Sequence, residues 1–472
     1  EVAGSMECVY FINYIIENHK SDTRLENLLK ERIFYIVPRL AIDGTEYVLN
    51  TNSALRSKHV DFVDKTMLKK DLNGDGKILT MRWKSPYGSF KVSDSDDRLM
   101  LPIVPTKDTH KHIESRYMMA VEGLLNTEKK VTDIKAHTYK YGEDNTDFNR
   151  NFPTNWRKIA NTNTGRYPLS EIETRAIADF ILDHPNIIQL IDFHTGNPAI
   201  FYPNKLGKHN ETYKHDWKVV ETLGRKGEEI TGYPFSSGYD EQLTGNHGAP
   251  LPGSFKDWLY EERGIIPYIV ELGLFYNYFD APRYSDYRET ANADEEISLA
   301  LLKWHDAHPD SNLFFEWQPY NHPQLGEVEI GGWNWIEYSN PPLDDMPEVC
   351  RKSTEFLLHM AEWMPKVRVH KVEIETIENN MFKLSVMVIN KGKLNSNITQ
   401  MKAEQNPSKI VASIESDLEI EFVAGDERIQ IQDSLSERGI CEFEWVIRTK
   451  AKSAYIQVIS ASGVYDKKEI QL

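Results

Sequence analysis

The 472 residues predict an α/β fold, a mixed central β-sheet flanked by helices, followed by a small all-β sandwich. Three observations carry that prediction. Segments with apolar residues at helical spacing alternate with short β-branched runs as far as residue 365. The chain is too long for one core of ordinary size, since domains usually hold roughly 100–200 residues. Beyond Pro365 the helical spacing stops and short alternating runs take over. The two domains are therefore placed at 1–365 and 366–472.

In order along the chain, Val2, Met6, Val9, Tyr10, Asn13 and Ile16 fall at helical spacing, and residues 25–30 continue as a second helix. The run Ile33-Phe34-Tyr35-Ile36-Val37 reads as a buried strand ended by Pro38. Further strands are expected at 187–193 and 265–270, with helices at 171–182, 217–230, 293–308 and 347–364. Ser170 and Glu173 have the spacing of a capping box ahead of the 171–182 helix. Trp333 and Trp335 lie ahead of the boundary and are expected to seal a domain interface. After it, runs at 367–374, 381–389, 408–414, 418–423, 441–449 and 454–460 are separated by Gly, Asn, Asp and Ser turns. That pattern predicts an immunoglobulin-like sandwich.

Composition narrows the function. Lys and Arg number 55 against 72 Asp and Glu, and a net charge of −17 repels nucleic-acid backbones and anionic membrane surfaces. No run approaches the roughly 18 apolar residues of a membrane span. Cys8, Cys350 and Cys441 are odd in number and widely spaced, so they are read as buried free thiols rather than a disulfide frame or thiolate zinc site.

Several residues carry chemistry. His194 ends the run Leu190-Ile191-Asp192-Phe193 at the carboxyl edge of a sheet, where α/β folds bind ligands, and Thr195-Gly196 permits a sharp exit. It is a candidate zinc ligand, with Asp192 available to orient a ligand; the alternative is a strand-end histidine held by hydrogen bonds. In Asp147-Phe148-Asn149-Arg150-Asn151-Phe152-Pro153, an Arg beside an Asn supplies a fork of donors suited to a carboxylate. Glu271 closes the apolar run 265–270, where an unpaired buried charge is costly and calls for a reason. Asp71, Asn73 and Asp75 in Asp71-Leu72-Asn73-Gly74-Asp75-Gly76 resemble half a calcium loop, although position twelve is Arg82; a metal-free turn is the alternative.

Together the DxNRNFP run, Gly253-Ser254-Phe255-Lys256-Asp257-Trp258-Leu259-Tyr260 and the strand ending in Glu271 resemble the zinc metallocarboxypeptidases of the carboxypeptidase A type. The resemblance covers residues 1–365 and suggests a bacterial-like member followed by a sandwich. It implies one Zn2+ held by Glu1, His194 and a His three positions upstream of Glu1, outside this chain. It further implies Glu271 as base and then acid, Arg56 polarising the scissile carbonyl, and Asn149 and Arg150 holding a terminal carboxylate. Lys256 would face the departing side chain and favour an acidic one; outward-turned lysine is the alternative. The family's closing tyrosine would fall at Ala249, with His247 nearby. The implied substrates are peptide or protein C-termini, and the implied location is periplasmic or extracellular. An amidase or deacylase in the same fold, and a non-catalytic peptide-binding or adhesion protein, remain the alternative readings.

Overall fold

The structure, a computed structural model, describes residues 2–53, 55–59, 66–103, 115–134, 145–158, 164–196, 198–206, 210–237, 252–273, 293–396, 399, 410–431, 435–459 and 465–472. Its centre is a mixed four-stranded sheet in the order Phe235–Ser237, Ala199–Tyr202, Ile266–Leu272, Gln189–Thr195. The His194 strand (Gln189–Thr195) runs parallel to the Glu271 strand (Ile266–Leu272), which Ala199–Tyr202 flanks antiparallel. The Glu271 strand reads Ile-Pro-Tyr-Ile-Val-Glu-Leu and is buried at every position but Glu271, as a strand covered on both faces must be.

Helices cover both faces. On one side Ala3 of the first helix (Val2–Asn18), Val220 and Leu223 of Lys214–Thr231 and Phe356 of Met346–Trp363 share a core with Ile266, Tyr268 and Val270. On the other, Ala178 and Ile181 of Ile172–Asp183 pack with Phe255, Trp258 and Leu259 of Phe255–Arg263. The first helix comes close to the sheet through Gly4, where a Cβ would lie 2.5 Å from the carbonyl oxygen of Phe193. These helices match the expected periodicities to within a few residues.

Three local expectations need correction. Residues 33–37 enter no ladder among the described residues and form no strand there. The helix after Ser170 has Glu171 as its N-cap, with no side-chain cap bond. Ser170 accepts instead from the Arg166 amide and the Asn151 side chain, and Glu173 pairs with Lys58 at 3.0 Å. Tertiary partners outbid the capping box. Of the three thiols, only Cys350 is buried; Cys8 and Cys441 are half-buried.

A second sheet was not foreseen. Six strands in the order Phe314–His322, Gly326–Trp333, Thr80–Lys84, Tyr117–Val121, Phe90–Val92, Met100–Pro102 join the segment ahead of residue 122 to a distant hairpin. Trp333 packs edge-on against Phe314 and near Tyr338, within clusters that include Leu301 and Leu302 of Ala293–Ala307. Trp335 stacks on Tyr338.

The C-terminal part forms two four-stranded sheets, Val367–Glu378, Met381–Asn390, Ile440–Arg448, Glu421–Ala424 and Arg428–Ile431, Ile410–Glu415, Ser453–Ile459, Tyr465–Gln471. Val386, Val388, Ile410, Trp445, Ile447 and Ile456 fill one core between them, the arrangement of a β-sandwich. Its junction with the first domain is packed: Leu394 enters the first domain's core and the Thr399 hydroxyl donates to the Gly264 carbonyl at 2.9 Å.

Candidate active site

The parallel register sets His194 opposite Glu271. Residues paired in this way project from the same face of a sheet, so two chemical groups meet at its carboxyl edge. The His194 Nδ1 lies 3.9 Å from Glu271 Oε1, while its Nε2 bonds Asp192 Oδ2 at 2.8 Å. One ring nitrogen is thus held by a carboxylate and the other faces Glu271, the orientation a ligating histidine requires. Asp192 sits two residues before His194, and period-two alternation puts both on one face. At Gly196 (φ +154°) a Cβ would stand 3.4 Å from Glu271 Oε2.

A second group is assembled by two loops. The Asn149 side-chain oxygen accepts from the Phe255 amide at 2.8 Å, and the Phe152 amide donates to the Gly253 carbonyl at 3.0 Å. Gly253 has φ +64° and approaches the Arg150 carbonyl so closely that a Cβ would sit 2.3 Å from it. Only glycine fits that turn. Asn151 pins the loop from behind, donating to the Thr164 and Tyr167 carbonyls and accepting from Thr174 Oγ1 at 2.7 Å.

Asp147 organises the charges. It is buried, accepts from Arg56 Nη2 at 2.6 Å and from the Asn149 amide at 2.9 Å, and lies 4.0 Å from Arg150. Burial pushes its pKa up, but Arg56 and Arg150 outweigh that and hold it well below the usual carboxylate range. Lys256 does not turn outward: it is 3% exposed and its Nζ donates to Asp257 Oδ1 at 2.9 Å. Burial lowers the Lys256 pKa, opposed by Asp257. Asp257 also accepts from the Asn204 amide and side chain, both at 2.8 Å. Arg150 feels the charges of both Glu271 and Asp257, and Asp147 that of His194, so the two groups form one electrostatic unit.

The structure therefore gathers His194, Glu271, Arg56, Asn149, Arg150 and Lys256. Glu1, Ala249 and His247 lie outside the described residues. Among the described residues no three metal-capable side chains cluster. The calcium reading finds no support. Asp71 accepts from the Gly74 and Gly76 amides, Asn73 from Asp75, and Asp75 from Lys77, so these oxygens serve the turn itself. Arg82 pairs with Glu329 at 2.8 Å. Two contributors escaped sequence reasoning. The role of Asp147 depends on Arg56, 91 residues earlier, and Asn204 carries no motif at all.

A profile of the zinc carboxypeptidases (Peptidase_M14) matches residues 1–96 and 110–296, more than half of the chain. The chain belongs to the zinc carboxypeptidase family. Residues 366–471 match a separate domain of unknown function (DUF8731). Similar zinc carboxypeptidases include human mast cell carboxypeptidase A, 30% identical over 128 residues, covering 25% of this chain and 29% of that protein. Carboxypeptidase O from human and from Bos taurus is 33% identical over 66 residues, covering 14% of this chain and 18% of each. The chain thus spans under a third of the length of these curated relatives. A crystal structure of thrombin activatable fibrinolysis inhibitor aligns with a TM-score of 0.32 and 17% identity, over 65% of this chain and 61% of that one. No helix among the described residues is long and apolar enough to cross a membrane.

Proposed function

We propose that this protein is a zinc-dependent hydrolase that removes residues from the C-termini of peptides. The observation that carries the reading is His194 facing Glu271 across 3.9 Å with Asp192 behind it. The donor chemistry fits zinc: an imidazole fixed through Nε2 by Asp192, with Nδ1 turned toward Glu271 and Glu1 of the same chain as a further candidate ligand. When bound, zinc supplies a water of pKa about 7 and polarises a carbonyl.

The chain's own residues do the rest. Glu271 takes the proton of the attacking water and returns it to the departing amine. Arg56, steadied by Asp147, offers its guanidinium to the negative charge that develops on the carbonyl oxygen. Arg150 and the side-chain amide of Asn149 bind the substrate's terminal carboxylate, the asparagine oriented by its bond to the Phe255 amide. Lys256 has three donors, one of which Asp257 takes, and the remaining two suit a departing Glu or Asp side chain.

A panel of peptides differing only at the C-terminus tests this, using protein supplied with zinc. Amidating the terminus should lower kcat/KM by about 30- to 1000-fold, the loss of a charged partner for a buried arginine. Peptides ending in Glu should exceed those ending in Phe or Lys, and Lys256→Ala should erase that order. Equal rates on acid and amide would replace the carboxypeptidase with an amidase or endopeptidase.

A further inference from the structure

Lys256 and Asp257 by themselves would make a neutral pair, one buried ammonium against one buried carboxylate with Nζ and Oδ1 at 2.9 Å. A second carboxylate brought to that ammonium would meet the negative charge of Asp257 at the same time. What surrounds the pair decides whether Lys256 has charge to spare. The helix that carries it, Phe255–Arg263, also carries Glu261, which feels the charges of both Lys256 and Asp257. Two acidic groups on one helix therefore compete for one ammonium.

Their other partners come from a different element. The strand Ala199–Tyr202 starts opposite Glu271 and leads away from it. The turn that follows, closed by the Leu206 amide on the Pro203 carbonyl at 3.1 Å, sets Asn204 and Lys205 against the helix. Asn204 donates twice to Asp257, its backbone amide to Oδ1 and its side-chain amide to Oδ2, both at 2.8 Å. The side-chain oxygen of Asn204 is buried without a partner among the described residues, so the bond to Asp257 is what orients that amide. Lys205 stands 3.5 Å from Glu261 and lowers the pKa that burial and Asp257 raise.

We infer that Asn204 and Lys205 are positioning residues for specificity: by satisfying Asp257 and Glu261 from the neighbouring turn, they leave the Lys256 ammonium able to bind the acidic side chain of a departing Glu or Asp. An ammonium has three donors, and Asp257 takes one. A carboxylate held by two amide donors keeps its charge without drawing the whole ammonium to itself. Arg150 lies near enough to Lys256 for their charges to repel, so both cations gain from a substrate with two carboxylates, one terminal and one on the side chain. The inference rests on the reading that Lys256 meets the departing side chain, and it adds the residues that set the strength of the preference.

The test compares peptides ending in Glu and in Phe on the full chain supplied with zinc, and reads the ratio of their kcat/KM values. Asn204→Asp is nearly isosteric but turns an anion toward Asp257, and the ratio should fall by at least about 30-fold. Asn204→Ala removes the donor alone. Its ratio should fall by about 10-fold, with the loss in KM for the peptide ending in Glu, because an interaction with the bound side chain is weakened. Lys205→Met, at an exposed position, should lower the ratio by about 2-fold. Should Asn204→Asp fail to fold, the other two variants decide the question by the same ratio. A role of Asn204 in packing alone would slow both peptides alike, and an unchanged ratio overturns the assignment. If Lys256→Ala erases the preference while the variants at 204 and 205 keep it, this inference falls and the reading of Lys256 stands. If the unaltered protein shows no preference for Glu, both fall.

Discussion

The central sheet and the C-terminal sandwich treat charge in opposite ways. Among the described residues of the sandwich, the buried polar groups are neutral, Asn390, Ser396, Thr399 and Thr449, and its largest core side chain, Trp445, gives its indole N–H to the Asp426 carbonyl. The central sheet buries Asp147, Lys256 and Asp257 around its carboxyl edge and Glu7 beneath one face. Buried charge seldom adds net stability, so the cluster of it at this edge points to chemistry, whereas the described residues of the sandwich, which bury none, are organised for packing.

That contrast can be broken at four places. The largest effect belongs to Glu271→Gln, which keeps the shape and the hydrogen bonding but cannot accept a proton. Turnover should fall by about 10²- to 10⁴-fold with the melting temperature nearly unchanged, measured by single-turnover kinetics and calorimetry. Trp445→Ala should do the reverse. Loss of a fully buried ring costs about 3–5 kcal/mol, seen in denaturant unfolding, while kcat per folded molecule holds. An equal loss of both properties would join the two domains into one functional unit.

Asp147→Asn crosses the two categories, since it leaves Arg56 and Arg150 without their buried partner. Removing one member of such a pair costs about 3–5 kcal/mol, and activity should fall with it because Arg56 loses its support. The pH sign follows from the depressed pKa: Asp147 contributes stability above the ordinary carboxylate pKa of about 3.9, and loses it as pH falls through the lower folded value. The variant's stability should therefore vary less with pH in the acid range.

Glu7 gives the smallest effect and the opposite sign. Burial pushes its pKa up to about 8, moderated by bonds from Cys350 and Thr354. A carboxyl raised in the folded state contributes most below its unfolded pKa, and that contribution disappears as pH rises through the folded value. Stability should fall as pH rises from about 4.5 to 8 through this group, and Glu7→Gln should flatten the slope in urea titrations. A parallel slope in the variant would assign the effect elsewhere.

Much of the molecule was readable from the order of its residues because the relevant forces are local. Helical spacing located Val2–Asn18 and Met346–Trp363, and the alternation of Met381–Asn390 already separated inward from outward positions. Short motifs that resemble those of the zinc carboxypeptidases also pointed to His194, Glu271, Asn149, Arg150 and Lys256 as one chemical set. Tertiary structure alone decided what depends on distant partners. The six-stranded sheet is built from strands as short as three residues, and it pairs residues as distant as Arg82 and Glu329, 247 positions apart, which no local pattern encodes. Ser170 has the sequence of a helix cap but is drawn to Asn151, which competes for the same hydroxyl. Residues 33–37 have the sequence of an interior strand, yet a strand exists only when a neighbour supplies the other half of its hydrogen bonds. Local sequence determined which segments could be helix or strand and which side chains carry the chemistry, while the fold decided which backbones and charges meet, because those contacts depend on residues tens to hundreds of positions apart.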